Sequence, residues 1–140
     1  MTCTFFGHRD CPYDVGEDLR NAIIDLIENK GVDCFLVGNN GNFDSLVLST
    51  LRKSKSEFPH IDYCVVLAYL FSNSRFDYPT LYPEGIESIP RKYAISYRND
   101  YMLKQSDFVV AYITHNSGGA YRFFSLAKNQ GKTCINLYKT

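Results

Sequence analysis

Three glycine-bearing loops contain the residues whose types and spacing could do chemistry. Each loop follows a short apolar run and leads towards a segment with helical periodicity. Glycine lets backbone approach a ligand closely, and the free N–H groups at the start of a helix favour phosphate. The sequence therefore predicts an anionic ligand that is bound by these loops together with two residues of a predicted helix, Arg98 and Asn99. The loop residues are Gly7, His8, Arg9, Gly38, Asn39, Asn40, Gly41, Asp44, Ser117, Gly118, Gly119 and Ala120.

The elements that must position these loops alternate along the chain. Apolar runs predict five strands, at Thr2 to Phe6, Cys34 to Val37, Tyr63 to Leu70, Phe108 to Ile113 and Thr133 to Leu137. Helical periodicity predicts four helices, which we expect from near Asp14 to Lys30, from Asp44 onward, from Arg91 to Gln105 and from Ala120 to Asn129. Nearly continuous apolar strands are typical of a parallel sheet that is covered on both faces.

The predicted fold class is α/β, with a Rossmann-like, doubly wound and mainly parallel five-stranded sheet and helices on both faces. Residues 1–140 are expected to form a single domain, because their number lies within the usual range for one. In such sheets a ligand lies outside the carboxyl ends of the strands, where the connections diverge. All three glycine-bearing loops are expected at that edge.

Two arginines and a histidine are the basic candidates within this set. Arg98 either reaches a ligand phosphate or carboxylate with its planar fork, or is a solvated helix residue paired with Asp100. Arg9 either clamps a phosphate or pairs with Asp10. His8 is either a general acid or base or a hydrogen-bonding partner.

Several motifs are absent from the sequence, and their absence narrows the expected chemistry. No Gly-Lys-Ser/Thr follows the glycine loops, and none of them has the full dinucleotide-binding fingerprint. The three histidines have no metal-ligand spacing, and no CxxC pair occurs. We therefore expect no metal and no cofactor.

Composition and charge give expectations about partners and location. With 15 basic and 15 acidic residues the formal net charge is zero, whereas duplex nucleic-acid binders normally carry a basic excess. We therefore expect a small nucleotide-like ligand and no duplex nucleic acid. No window approaches the roughly 18 apolar residues of a membrane span, and the 5 cysteines are scattered, four of them in apolar runs. These features predict a cytoplasmic protein without a membrane partner.

The segment from Tyr97-Arg98-Asn99-Asp100 through Ser106-Asp107 to Gly118-Gly119 resembles the SLOG superfamily. This superfamily includes the LOG phosphoribohydrolases, the Smf/DprA proteins and the YpsA-like proteins. Gly7-His8-Arg9 and Tyr82-Pro83-Glu84 are most similar to the small bacterial YpsA-like members. The resemblance covers nearly the whole chain in element order, and it implies a Rossmann-like fold that binds nucleotides or ribose phosphates.

The chain departs from the LOG enzymes at the positions that the resemblance makes catalytic. Arg98 occupies the position of their catalytic arginine, and Gly118 and Gly119 match the paired glycines of their P-G-G-x-G-T-x-x-E motif. The position of the catalytic glutamate is Ser125, and those of the third glycine and the threonine are Tyr121 and Arg122. LOG-type hydrolysis therefore does not carry over, because glycoside cleavage generally requires a carboxylate.

Three functions stay open at this point. The first is binding or sensing of a nucleotide-derived ligand without catalysis. The second is an N-glycosidase that uses Arg98 with another carboxylate, foremost Glu84, otherwise Glu87 or Asp44. The third is an oligomeric interaction module, since aromatic residues are enriched at interfaces. A homo-oligomer could use the segment from Phe71 to Pro90, which contains Phe71, Phe76, Tyr78 and Tyr82.

Overall fold

A computed structural model describes residues 1–70 and 75–139. Within these ranges, six strands form one sheet in the order β4-β3-β2-β1-β5-β6, and every pairing is parallel. The strands are β1 (Thr2–Gly7), β2 (Cys34–Val37), β3 (Asp62–Val66), β4 (Thr80–Leu81), β5 (Phe108–Tyr112) and β6 (Thr133–Asn136). The helices are α1 (Gly16–Lys30), α2 (Asn42–Glu57), α3 (Ala94–Gln105) and α4 (Gly118–Asn129). The predicted α/β class is confirmed, and the parallel sheet is of the Rossmann-like kind.

The predicted number of five strands is wrong, because β4 was missed. This strand has two residues and pairs with β3 through Val65↔Thr80 and Val66↔Leu81. It lies inside the segment predicted to be irregular, and two residues before Tyr82-Pro83 cannot produce an apolar run. β3 in turn ends at Val66, whereas the apolar run that predicted it continues to Leu70.

The helix boundaries differ from the predicted ones at their amino ends. Short 3₁₀ turns at Tyr13–Val15 and Arg91–Tyr93 precede α1 and α3, so these helices start later than predicted. Helix α4 starts earlier, at Gly118 and not at Ala120. At the carboxyl end of α1, Gly31 takes a left-handed conformation with φ of 71° and ends the helix as expected.

The helices cover both faces of the sheet. Helices α1 and α2 pack on one face, where they bury Leu19, Ile23, Leu26, Val47 and Leu51. Helices α3 and α4 pack on the other face, where they bury Met102, Leu103, Phe123, Phe124 and Ala127. Fully burying one such leucine stabilises the fold by about 1.5–3 kcal/mol. Because helices cover both faces of the sheet, the side chains on both faces of the central strands are apolar. None of the helices in the described ranges is long and apolar enough to cross a membrane.

The direction of the chain across the sheet changes between β1 and β5, which are neighbours. From β1 the chain passes through α1 to β2 on one side, and from β5 it passes through α4 to β6 on the other. The loops after β1 and β5 therefore diverge to opposite faces and leave a crevice at the carboxyl ends of the strands. Crevices of this kind are where doubly wound sheets bind ligands.

Candidate ligand-binding site at the switch point

A cavity of about 330 Å³ lies in this crevice. Its lining comes from the loops after β1, β2 and β5, from the inner face of α3 and from the start of α4. The predicted site residues that line it are Gly7, His8, Arg9, Asn40, Asp44, Arg98, Asn99, Ser117, Gly118, Gly119 and Ala120. The structure thus brings together residues from all three glycine-bearing loops. Their role in binding a ligand stays a prediction.

Arg98 is buried in the wall of this cavity, with 2% of its surface exposed. Its Nη1 donates to the carbonyl of Val66 at 3.0 Å and to Asn39 Oδ1 at 3.5 Å, and its Nη2 donates to Asn40 Oδ1 at 2.8 Å. Its Nε donates to Asn99 Oδ1 at 2.8 Å. These bonds use four of the five N–H groups of a guanidinium and leave one on Nη2. The alternative of a solvated arginine paired with an acidic neighbour does not describe this residue.

Asp44 brings a carboxyl group to the same wall, from the first turn of α2. Its Oδ2 accepts the backbone N–H of Asn40 at 2.9 Å. Burial raises the pKa of Asp44 from 3.8 to about 6, although the Asn40 hydrogen bond and the charges of Arg98 and Arg9 oppose that rise. Burial also lowers the pKa of Arg98, and Asp44 opposes this change. The wall therefore combines a permanent cation with a carboxyl group that titrates near neutral pH.

His8 and His115 stack across the crevice, with ring centroids 3.8 Å apart and an interplanar angle of 7°. The sheet sets this contact, because Gly7 pairs with Tyr112 and the backbone N–H of His8 donates to the Tyr112 carbonyl at 3.2 Å. His8 is buried, whereas His115 is exposed. Burial lowers the pKa of His8, His115 lowers it further and Asp10 opposes both. Burial and the neighbouring His115 therefore favour the neutral form of His8.

The start of α4 also lines the cavity. An α-helix leaves its first four N–H groups without partners inside the helix, and the N-cap residue Ser117 makes no side-chain capping bond to any described residue. Gly118, with φ of 88°, takes the backbone conformation that glycine adopts most readily. These exposed amides and the helix dipole give the cavity a partial positive charge.

Two predicted glycines lie behind the cavity lining and support it. A Cβ atom at Gly38 would lie 2.6 Å from Arg98 Nη1, so only glycine lets the guanidinium sit on the loop after β2. A Cβ atom at Gly41 would lie 2.8 Å from the Cα atom of Arg9. Gly41 precedes Asn42, whose backbone N–H donates to the Arg9 carbonyl at 2.9 Å. Gly38, Gly41 and Asn39 thus hold the loops in place and are not part of the lining.

The two glutamates considered as catalytic acids are not brought to the cavity. Glu84 and Glu87 are both exposed and do not line it. The backbone carbonyl of Glu84 accepts the hydroxyl of Tyr97 at 3.1 Å, which fixes the main chain and leaves the carboxylate in solvent. Among the described residues, Asp44 is the one carboxylate in the lining.

Four apolar residues and His115 line the cavity without having been predicted as site residues. Ile95 and Met102 lie three and four positions from Arg98 and share its face of α3. That spacing could have identified them. Phe5 and Phe6 line the cavity from β1, and neither residue carries a signal in the sequence that separates it from an ordinary core phenylalanine.

The aromatic residues of the predicted interaction segment pack onto the protein itself where they are described. Phe76, Tyr78 and Tyr82 are partly buried and contact the main core cluster. Arg52 lies over the ring of Tyr78, 5.4 Å from its centroid. Phe71 lies outside the described residues. Within the described ranges, no group of three or more histidine, cysteine, aspartate or glutamate side chains is arranged to hold a metal ion.

The fold and the cavity together define a Rossmann-like α/β protein with a polar cavity at its topological switch point. No protein-family model and no curated protein matches the chain in sequence. Among solved structures, the chain is similar to DNA processing protein A (DprA) from Streptococcus pneumoniae, with a TM-score of 0.69 and 12% identity. The match covers 95% of this chain and 48% of that one, so this chain spans about half the length of the matched protein.

This similarity agrees at the level of the fold with the resemblance to the SLOG superfamily, which includes the Smf/DprA proteins. It does not support the narrower resemblance to the YpsA-like members. The expectation that duplex nucleic acid is not a partner is wrong. That expectation rests on the balanced composition, whereas a DNA processing protein has a similar fold. Net charge averages over the whole surface, whereas Arg9 and Arg98 concentrate positive charge at one cavity.

Proposed function

We propose that the switch-point cavity binds the phosphate of a nucleotide, either free or at the end of a nucleic acid strand. The single observation that supports this most is that buried Arg98 and the uncapped start of α4 line one cavity. A guanidinium and free helix amides are the two groups that most often hold phosphate in proteins. The DNA processing protein of similar fold adds nucleic acid as a source of that phosphate.

A second cavity of about 760 Å³ supplies room for the rest of a nucleotide. It adjoins the first through His115, which lines both. Tyr121, Phe124 and Tyr138 contribute aromatic rings to it. Aromatic side chains stack on bases without strong sequence preference, so this second cavity suits the base or a following nucleotide.

The test adds a negative charge at the start of α4 without disturbing the fold. Gly119 is exposed, has no atom within 4 Å of a Cβ built on it and has no left-handed φ. Gly119→Asp should therefore keep or slightly raise stability, because an acid in the first turn is favourable by about 0.3–1 kcal/mol. The same carboxylate should repel a phosphate. Gly119→Asn is the matched control, since it has the same size without the charge.

Binding would be measured by titration calorimetry with a nucleoside monophosphate, a 5′-phosphorylated single strand and a duplex. We expect Gly119→Asp to bind at least about tenfold more weakly than Gly119→Asn, which corresponds to about 1.4 kcal/mol. The relative affinities of the three ligands identify the source of the phosphate. Equal binding by the Asp and Asn variants would contradict the proposal, as would no binding of any ligand by the wild-type protein.

Hydrolysis of a nucleotide is the second candidate function, and Asp44 favours it. A carboxyl group with a pKa raised to about 6 in a cavity is suited to general acid or base catalysis near neutral pH. Release of base or phosphate from the ligand that binds best would be followed by chromatography. Turnover that survives in Asp44→Asn would exclude Asp44 as the catalytic acid or base.

A further inference from the structure

The Nε2 atom of His8 has no hydrogen-bond partner, although it is buried. Of the buried side-chain nitrogen and oxygen atoms in the described residues, it is the one without a partner. His8 is 7% exposed and lines the switch-point cavity. Buried polar atoms are nearly always hydrogen-bonded, so an orphan atom in a cavity wall is a position where a water or a ligand group can supply the missing bond.

His115 covers the ring of His8 and limits its protonation. The two rings are nearly parallel with centroids 3.8 Å apart, and the Nδ1 atom of His115 lies 2.9 Å from the hydroxyl of Thr114. Two imidazolium ions stacked at this distance would repel each other strongly. The stacked geometry therefore disfavours a positive charge on both rings at once.

The other charged groups near this pair come from three elements. Arg9 and Asp10 lie in the same loop as His8, Asp44 comes from α2 and Arg98 comes from α3. Two of these four are permanent cations and Asp10 is exposed. Arg9 and Arg98 oppose a proton on the histidine pair, whereas a bound anion with two negative charges would offset these cations and favour that proton.

We propose that the His8–His115 pair takes up one proton when a phosphate monoester enters the cavity, and thereby selects a terminal phosphate over an internal phosphodiester. This inference rests on the proposed function and names its ligand class. A phosphate monoester carries about −1.5 to −2 charges at pH 7 and three strong acceptor oxygens. A diester carries one negative charge and has two unesterified oxygens.

The cavity offers three kinds of donor to such a group. They are the first amides of α4, the remaining N–H on Arg98 Nη2 and, once protonated at Nε2, His8. Three donors match the three oxygens of a monoester. Burial and the neighbouring His115 keep the pKa of His8 low in the free protein. A positively charged His8 would hold a dianion more tightly than the neutral ring, so we expect the ring to take up its second proton from solvent during binding, which would make the affinity depend on pH.

The experiment is titration calorimetry with a nucleoside 5′-monophosphate and with its methyl ester, a diester of the same nucleoside. Runs at pH 7.5 in two buffers of different ionisation enthalpy give the number of protons taken up. Runs from pH 7 to 8.5, where the ligand is a dianion throughout, give the slope of affinity with pH. We expect uptake of up to one proton, and an affinity that falls by up to tenfold per pH unit. We expect at least tenfold weaker binding of the methyl ester.

His8→Gln keeps an amide donor near the Nε2 position but cannot take up a proton, so it should abolish the pH slope and most of the preference for the monoester. His60→Gln is the matched control, because His60 is exposed and lies near Phe58 away from the cavity. His115→Gln removes the ring that stacks on His8, and it should move the fall in affinity to higher pH because His115 lowers the pKa of His8.

Three results would overturn the inference while leaving the proposed function intact. They are equal affinity for the two esters, binding without proton uptake, and uptake that persists in His8→Gln but disappears in Asp44→Asn. The last result would assign the proton to Asp44. If neither ester binds to the wild-type protein, the inference and the proposed function both fail.

Discussion

Replacing Gly38 by alanine would place a methyl group against the buried guanidinium of Arg98. The new Cβ would lie 2.6 Å from Nη1 and 2.7 Å from Cζ of Arg98, and 2.9 Å from Asp44 Oδ2. Carbon and nitrogen atoms normally stay more than 3 Å apart, so a neighbour must move. Gly38 has no left-handed φ, and the cost of the substitution therefore comes from this overlap and not from backbone strain.

The size of the effect follows from how firmly Arg98 is held. Its guanidinium donates to the Val66 carbonyl at 3.0 Å and to Asn40 Oδ1 at 2.8 Å, so it is not the loose end of a flexible chain. Overpacking a buried site costs about 1–3 kcal/mol. For a domain of this size that corresponds to a fall in Tm of roughly 3–12 °C. Ligand binding should weaken as well, because the guanidinium leaves its place in the cavity wall.

Thermal and urea unfolding would measure the change in stability, with Gly119→Ala as the control glycine. No atom lies within 4 Å of a Cβ built on Gly119, so Gly119→Ala should be neutral or slightly stabilising. In an Arg98→Ala background, Gly38→Ala should cost at least about 1 kcal/mol less, since the two nearest of the three overlapping atoms are gone and only Asp44 Oδ2 remains. A Gly38→Ala protein as stable as the wild type, or an equal cost in both backgrounds, would refute the packing argument.

Two further predictions concern stability. The pKa of Asp44 is about 6 in the folded protein and 3.8 in the unfolded chain, so the folded state binds more protons between these values. The free energy of unfolding should therefore fall by up to about 3 kcal/mol as pH rises from about 4 to 6. Urea unfolding at several pH values would measure this fall, and Asp44→Asn should reduce it. Thr4 Oγ1 donates to the Leu36 carbonyl at 2.9 Å inside the sheet. Thr4→Val should therefore lower the free energy of unfolding by about 1 kcal/mol. An unchanged urea midpoint would contradict this prediction.

The parallel sheet could be predicted because burial on both faces leaves a strong trace in the sequence. β1, β2 and β5 are almost completely buried, and their apolar runs cannot be explained by a sheet with one wet face. Thr80 and Leu81 of β4 leave no such trace, because a two-residue edge strand pairs on one side and has an exposed residue. The number of strands therefore depended on a contact between residues that are far apart in the chain.

The position of the cavity could be predicted from its loops, whereas the contacts within it could not. Glycines after apolar strands mark sharp turns at the carboxyl edge, and Gly7, Gly118 and Gly119 do line the cavity. The stacking of His8 on His115 needs the pairing of β1 with β5, which no local pattern encodes. For Glu84 the sequence and the structure disagree. Its place in a long irregular segment suggested a lid over the site, but its side chain is exposed to solvent.

A balanced composition does not prevent this cavity from being positive. The described acidic residues are mostly exposed, where water and salt screen them over about 10 Å. Arg98 is removed from water, so its charge acts on the cavity with much less screening. Asp44, which could cancel that charge, has a pKa of about 6 and gives up part of its negative charge under mildly acidic conditions. The local field, and not the sum of charges along the chain, is therefore what the proposed phosphate ligand would meet in this cavity.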